Sequence, residues 1–542
     1  MARTLRRLTP LLGALPIALL WVLPLLLSLA MLLPVAVDGA AWQQALAHPQ
    51  LWPALALSLF TGAAATLFAF VSLLIILAGL YRRPAWNRLQ ALAAAGLAVP
   101  HLAFAIGFGF LVMPSGLLAR LLVGGDAPPG WITVQDPWGL SLTLALALKE
   151  VPFLLTAALA TLARGDAGQR IARECRAAAS LGHAPGSAFL RIVAPQLMGG
   201  LVWPLVIVFV YGATVVDMAL VLGPTQPPTL AVVIWHALND VDPAMNRMGL
   251  AMTLLLTAAL GLVLLGVAAL TRAGRRAWRQ FLTAGPSALA APRAGALVLG
   301  TASLAVLAVA LILLALLSFA PRWPWPFVLP PVMGFTAWET IAASPAPLLL
   351  SLALSLAVAA AAVALAVLWF ETQRPSRDGA LIGLALLSLA LPQIGLAGGQ
   401  YRLFLPLGLT ATLPGLFLAH LTPVLAYVLI VLAGPWRAFD GRYVAAARAL
   451  SAGPLKSFSR VKLPLLKAPL LTAGAIGFAV SIAQFVPAQL IGAGAHATLA
   501  TEAVTLSSGG NRPLTAAFAL ALAVPPLLGF LVAALAGRPR WR

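Results

Sequence analysis

The chain is 542 residues long, with 61% hydrophobic residues and only 9% charged, whereas soluble globular proteins carry about 25% charged residues. That balance excludes water as the main solvent. A formal net charge of +20 would suggest nucleic acid on a soluble protein, but no basic stretch is interleaved with a folded binding module, so a nucleic-acid partner is excluded.

A bilayer-spanning helix takes about 20 mostly apolar residues. In chain order, the predicted spans cover 11-36, 53-80, 91-113, 139-163, 197-222, 248-270, 295-319, 346-370, 380-399, 412-434, 467-493 and 514-536, twelve in all. The first follows Arg3, Arg6 and Arg7. Its apolar run exceeds the roughly 7 to 15 residues of a signal-peptide core, so it reads as a retained span. The runs are rich in Leu and Ala and lack the short alternation of an outer-membrane barrel. The fold class expected is an all-α polytopic membrane protein.

The positive charge is a topology signal. Of the 34 Lys and Arg, 28 fall in the segments that this arrangement puts on one face. Lys and Arg concentrate on the cytoplasmic side of a membrane protein. Both termini are therefore expected inside, in a multi-pass protein of the bacterial inner membrane with the lipid bilayer as its solvent.

An internal repeat divides the chain. The segment from Arg176 to Pro195 returns from Ala445 to Pro464, and an offset of 269 also pairs Gly223 with Gly492, Thr229 with Thr498 and Leu230 with Leu499. In between, the offset drifts to about 292, pairing Pro100 with Pro392. Six spans per half is an even number, so both halves enter from the same side. Such parallel repeats are related by an axis along the membrane normal, with a pathway expected between them. The expected domains are residues 1-270, a linker at 271-294 rich in Arg, Pro, Gly and Ala, and residues 295-542.

The repeated segment combines an Ala-rich helical stretch, a Gly or Ser break, a short amphipathic piece and a Pro. Gly permits a turn and Pro lacks the amide a helix interior needs, so two short helices at an angle are predicted, ended by the Pro. Small side chains on such a helix let a partner approach closely.

The pattern Glu-Ala-Ala-x-x-x-Gly, followed thirteen residues later by Pro, is the cytoplasmic loop signature of ABC importer permeases. Ala177, Ala178, Gly182 and Pro195 match it, as do Ala446, Ala447 and Pro464 in the second copy. The whole chain resembles the fused twelve-span permeases of the thiamine, ferric-iron and YnjC-type group. That resemblance implies the type I importer fold, with each loop acting as a coupling helix seated on a separate ABC ATPase subunit, two copies in all. It also implies a periplasmic solute-binding protein. The signature Glu is Arg176 in the first copy and Ala445 in the second, and its Gly is Ser451 in the second. The ionic part of the docking is therefore absent, and shape with small residues carries it.

Energy has to come from outside the chain. Lys149, Lys456, Lys462 and Lys467 are preceded by Leu, Leu, Val and Leu, so none completes the Gly-x-x-x-x-Gly-Lys-Ser/Thr phosphate loop. The six histidines have no metal-ligand spacing. Cys175 is the single cysteine and leaves no intramolecular disulfide. No metal, cofactor or catalytic constellation is expected.

Charge at membrane depth costs about 2.5 to 3.5 kcal/mol on insertion scales, so residues that carry it usually face a cavity or a partner. The pathway candidates are Glu150 and Asp217, joined by His101 and Gln393, which follow the paired Pro100 and Pro392, and by Gln484 at the position equivalent to Val215. Asp217 is expected near the outer end of the span that starts at Leu197, and two acids would favour a cationic solute such as a thiamine-like compound or a metal ion. Packing roles for these residues are the competing reading. A secondary transporter built from two six-span repeats is the alternative function, and a membrane-embedded enzyme is the remaining class.

Overall fold

A computed structural model describes residues 13–81, 86, 93, 96–123, 125–163, 167–450 and 453–537. Among these residues the chain is helical throughout, without strands. Ten helices are long and apolar enough to cross a membrane, and two bent pairs bring the number to twelve. Helices suit these sequences because a lipid-facing segment must pair its own backbone groups, and an α-helix does so internally.

Four of the predicted spans are broken. The run at 91-113, partly outside the described residues, is interrupted at Val99–Pro100, and the helix restarts as His101–Val112. The run at 380-399 stops at Leu389 and resumes at Gln393–Phe404 with a bend of 101°. A proline lacks the amide donor and turns the residue before it away from helix, which explains why both breaks sit at the paired prolines. The run at 197-222 begins earlier, at Pro185, and its helix ends at Thr214. A separate short helix, Asp217–Leu222, follows. The run at 467-493 likewise ends at Ile482 and restarts as Val486–Gly492. The breaks at Val215–Val216 and Gln484–Phe485 keep the offset of 269. Within the breaks, Val99, Pro100, Pro392, Val215, Val216, Gln484 and Phe485 are buried, as irregular backbone at membrane depth must be.

Three π-helical turns occur, at Ala18–Val22, Phe189–Val193 and Phe458–Lys462. Each is followed two residues later by a proline: Pro24, Pro195 and Pro464. The wide turn takes up the residue whose ring would clash with the preceding carbonyl and whose amide is missing, so the helix continues through the proline. This corrects the expectation that Pro195 ends a helix, since Pro185–Thr214 forms one run through it. The second copy differs, because its helix bends by 72° between Leu465 and Lys467, just after Pro464.

Two short apolar helices, Leu230–Leu238 and Leu499–Ser507, were not predicted as elements, because nine residues fall short of a span. Each is held at its start in the same way. The Leu230 amide donates to Ser58 Oγ at 2.8 Å, and the Leu499 amide donates to Ser351 Oγ at 2.8 Å. Ser58 lies in the helix Leu51–Leu80 and Ser351 in Ala346–Thr372.

The first helix of each predicted half packs on the other half, and Arg293–Ser318 also lies along Arg512–Ala536 of its own. Arg293–Ser318 lies along Leu51–Leu80 and His101–Val112. Gly13–Ala36 lies against Gln393–Phe404 and Leu413–Arg437, where the buried Trp21 indole donates to the Thr422 carbonyl at 2.8 Å. Glycines make the close approach possible. A Cβ on Gly79 would collide with Ala296, and one on Gly107 would stand 2.5 Å from the Ala310 carbonyl oxygen. Across the exchange, a Cβ on Gly13 would collide with Thr372 and one on Gly399 with the Ser28 carbonyl. Small residues at helix crossings let backbones meet in this way, and in lipid such packing is a main driving force for association.

Candidate functional site

The first motif loop is built on the amphipathic helix Ala167–Ser180. The helix ends in a complete left-handed stop: Gly182 has φ +86°, its amide donates to Ala179, and the His183 amide donates to Ala178 at 3.0 Å. That six-to-one and five-to-two pairing needs a residue without Cβ strain, which is why glycine stands there. Arg176 and Ala177 are exposed, but Ala178 is buried against the protein itself. Adjacent helical residues point about 100° apart, so the pair cannot share one docking face. Both alanines were expected to face a partner, but of the two only Ala177 is exposed. Glu174 is half-exposed and accepts from Gln196 Nε2 at 2.6 Å. Pro195 is half-buried, ten residues into the run Pro185–Thr214.

The second motif loop is carried by Arg442–Ala449. Ala445 and Ala446 are exposed while Ala447 is half-buried, repeating the orientation of the first copy. Ser451 lies outside the described residues. Pro464 sits in the short piece before the 72° bend. This loop is braced by Lys462, which donates to Glu371 Oε2 at 2.6 Å and lies 4.7 Å from the Trp436 ring. Nearby, Arg437 makes a two-pronged pair with Asp378 at 2.6 and 3.0 Å, the geometry that makes arginine–carboxylate pairs strong.

At membrane depth the polar candidates fall into two groups. His101 Nε2 lies 3.0 Å from Glu150 Oε1, with the carboxylate buried and the imidazole about one-third exposed. The Tyr211 ring packs on the imidazole at 4.7 Å. Lys149 points away and donates to the Gly96 carbonyl at 3.1 Å. The second group joins Gln484 Nε2 to the His420 carbonyl at 3.1 Å and His420 Nδ1 to Ser481 Oγ at 3.1 Å. Gln484 Oε1 and His420 Nε2 are buried without a hydrogen-bond partner. Gln393 starts its helix and is half-buried.

Asp217 does not lie along the span from Leu197, as expected. The helix ends at Thr214, and Asp217 opens the next one. Its depth therefore cannot be counted as rise along one helix.

The chain is 32% identical over 541 residues to the inner membrane ABC transporter permease protein YnjC of Escherichia coli K12, covering 98% of both chains. It belongs to the ABC transporter permeases.

A shorter similarity links this permease to the spermidine/putrescine transport system permease protein PotC of Haemophilus influenzae, at 25% identity over 145 residues, 27% of this chain and 56% of the other. No family model matches the chain. The permease is thus a multi-pass inner-membrane protein of all-α fold.

Sequence reasoning missed Tyr211, whose ring packs on His101 from a different helix. The signal was present, since only five tyrosines occur in the chain. The polar group is also one-sided in a way that the repeat did not announce. Counting from the helix-internal prolines Pro152 and Pro423, Leu421 holds the position of Glu150 and His420 that of Lys149.

Proposed function

We propose that the permease imports a small cationic solute, driven by two separate ATPase subunits and fed by a periplasmic solute-binding protein. The observation that carries this reading is the Glu150–His101 pair packed against Tyr211, with His101 and Asp217 each opening a helix after a break inside the membrane. Irregular backbone and ionisable side chains at membrane depth are the usual makings of a solute path. A cation is favoured because two acids, Glu150 and Asp217, lie within the membrane-spanning region, and the name of one relative, PotC, specifies spermidine and putrescine, which are cations.

In this reading residues 1-270 and 295-542 are the two halves, the motif loops face the cytoplasm with both termini, and the loops transmit ATPase movement to the helices they precede. Arg176 and Ala445, at matching exposed positions, give the two loops unlike chemistry. Gln393 and Gln484 border the path from the second half.

The test is uptake of labelled cations, polyamines and thiamine included, into proteoliposomes holding the permease with its tagged ATPase and binding protein. Glu150→Gln and Asp217→Asn should each lower ATP-driven uptake about tenfold or more, equivalent to at least ~1.4 kcal/mol. The ATPase should still co-purify. Unchanged uptake of every cation in both variants would reduce these acids to packing residues. Uptake driven by an ion gradient without ATP would replace the importer reading with a secondary transporter.

A further inference from the structure

The predicted linker contains a helix, Arg275–Thr283, and then an extended strap that lies across the first motif loop. The Ala184 amide donates to the Ser287 carbonyl at 3.1 Å, and the Ser187 amide donates to the Leu289 carbonyl at 3.2 Å. Arg191 Nη1 donates to the carbonyls of Ala284 and Gly285, both at 2.6 Å, and its guanidinium lies 5.2 Å from the Phe281 ring. The strap rests directly on Gly186. A Cβ there would collide with the Ala290 carbonyl and stand 2.7 Å from that of Leu289.

The second copy has no such cover among the described residues. The residue matching Gly186 at the offset of 269 is Leu455, which is 77% exposed. Its neighbour in the loop, Leu450, is 85% exposed and matches Leu181, which is 70% exposed. The second loop therefore presents two bare leucines from its own sequence. The first presents Leu181 and, from the strap over Gly186, the half-exposed Leu289. These leucines, two at each loop, are apolar side chains that a partner docked on the loop could cover.

We infer that the linker completes the first ATPase dock, with Leu289, carried across Gly186, taking the role that Leu455 takes in the second. The inference rests on the proposed role of the motif loops. It accounts for a glycine at 186 and a leucine at 455 within an otherwise close repeat: the first loop must admit a strap, and the second supplies its own apolar contact. The two docks are alike in the side chains offered and unlike in the backbone that offers them.

The test places a photo-crosslinking amino acid singly at Leu181, Leu289, Leu450 and Leu455 in the full-length permease, co-expressed with its epitope-tagged ATPase in native membranes. All four positions should yield adducts with the ATPase. Adducts at Leu181 and Leu450 without one at Leu289, or with only lipid adducts at Leu289, would overturn the inference and leave the coupling loops standing. Absence of ATPase adducts at all four would remove the docking reading itself.

A second arm avoids dependence on one probe. Leu289→Asp should lower the ATPase recovered with the permease at least about fivefold, because it buries an unpaired charge in the contact, while Leu289→Met should retain it. Equal recovery for the two would also overturn the inference. Gly186→Leu should displace the strap and abolish the Leu289 adduct while sparing that at Leu455. Persistence of the Leu289 adduct would show that the strap is not seated on Gly186.

Discussion

Ala177 and Ala178 are identical in chemistry and adjacent in sequence, yet one faces solvent and the other the protein. Their consequences should separate accordingly. Ala178→Trp overpacks the protein's own contact at a cost of about 1 to 3 kcal/mol, to be seen as a lower melting temperature of the purified permease. Ala177→Trp should leave the melting temperature unchanged and weaken ATPase co-purification about tenfold. If Ala178→Trp melts like the parent, or Ala177→Trp retains full ATPase binding, the assigned faces are wrong. Composition could not make this distinction, because the loop is Ala-rich throughout. Only the packing of Ala167–Ser180 on its own span selects the buried face.

At the scale of elements, the helix stop at Gly182 and the π-turns explain what the repeated motif encodes. Gly182→Ala forces a Cβ into a left-handed conformation, φ +86°, at about 1 to 2 kcal/mol. The expected result is faster amide hydrogen exchange at residues 177 to 183, with the spans unaffected. Exchange identical to the parent would mean that the stop is held by the strap rather than by the glycine. The two-piece motif was legible from Gly and Pro. The passage of the helix through Pro195 was not, because the wide turn at Phe189–Val193 depends on hydrogen-bond register and carries no residue signature of its own. The bend at Leu466 in the second copy alone shows that one local pattern can support two outcomes, decided by neighbours.

For the whole molecule, the exchanged first helices tie the two predicted halves together, and the glycines at their crossings are the points to test. Gly107 faces the Ala310 backbone and Gly399 the Ser28 backbone, so neither site can yield by moving a flexible side chain. Gly107→Val and Gly399→Val should each lower the melting temperature in detergent and reduce the yield of intact permease, by several kcal/mol at most. Gly266→Val, where a Cβ meets nothing within 4 Å, should be near neutral. Equal stability of all three would show that the crossings do not bear the assembly.

The membrane class, the twelve apolar runs and the repeat of the motif were determined by sequence alone, because each rests on composition, length or spacing along the chain. The candidates His101 and Glu150 were also legible, as charge and proline at membrane depth. That His101 meets Glu150 while Lys149 turns to Gly96, that Tyr211 packs on His101, and that the linker lies over Gly186 were decided by tertiary structure. These are contacts between residues far apart in the chain. Helix rotation and crossing distance bring them together, and neither is carried by the identity of any single residue.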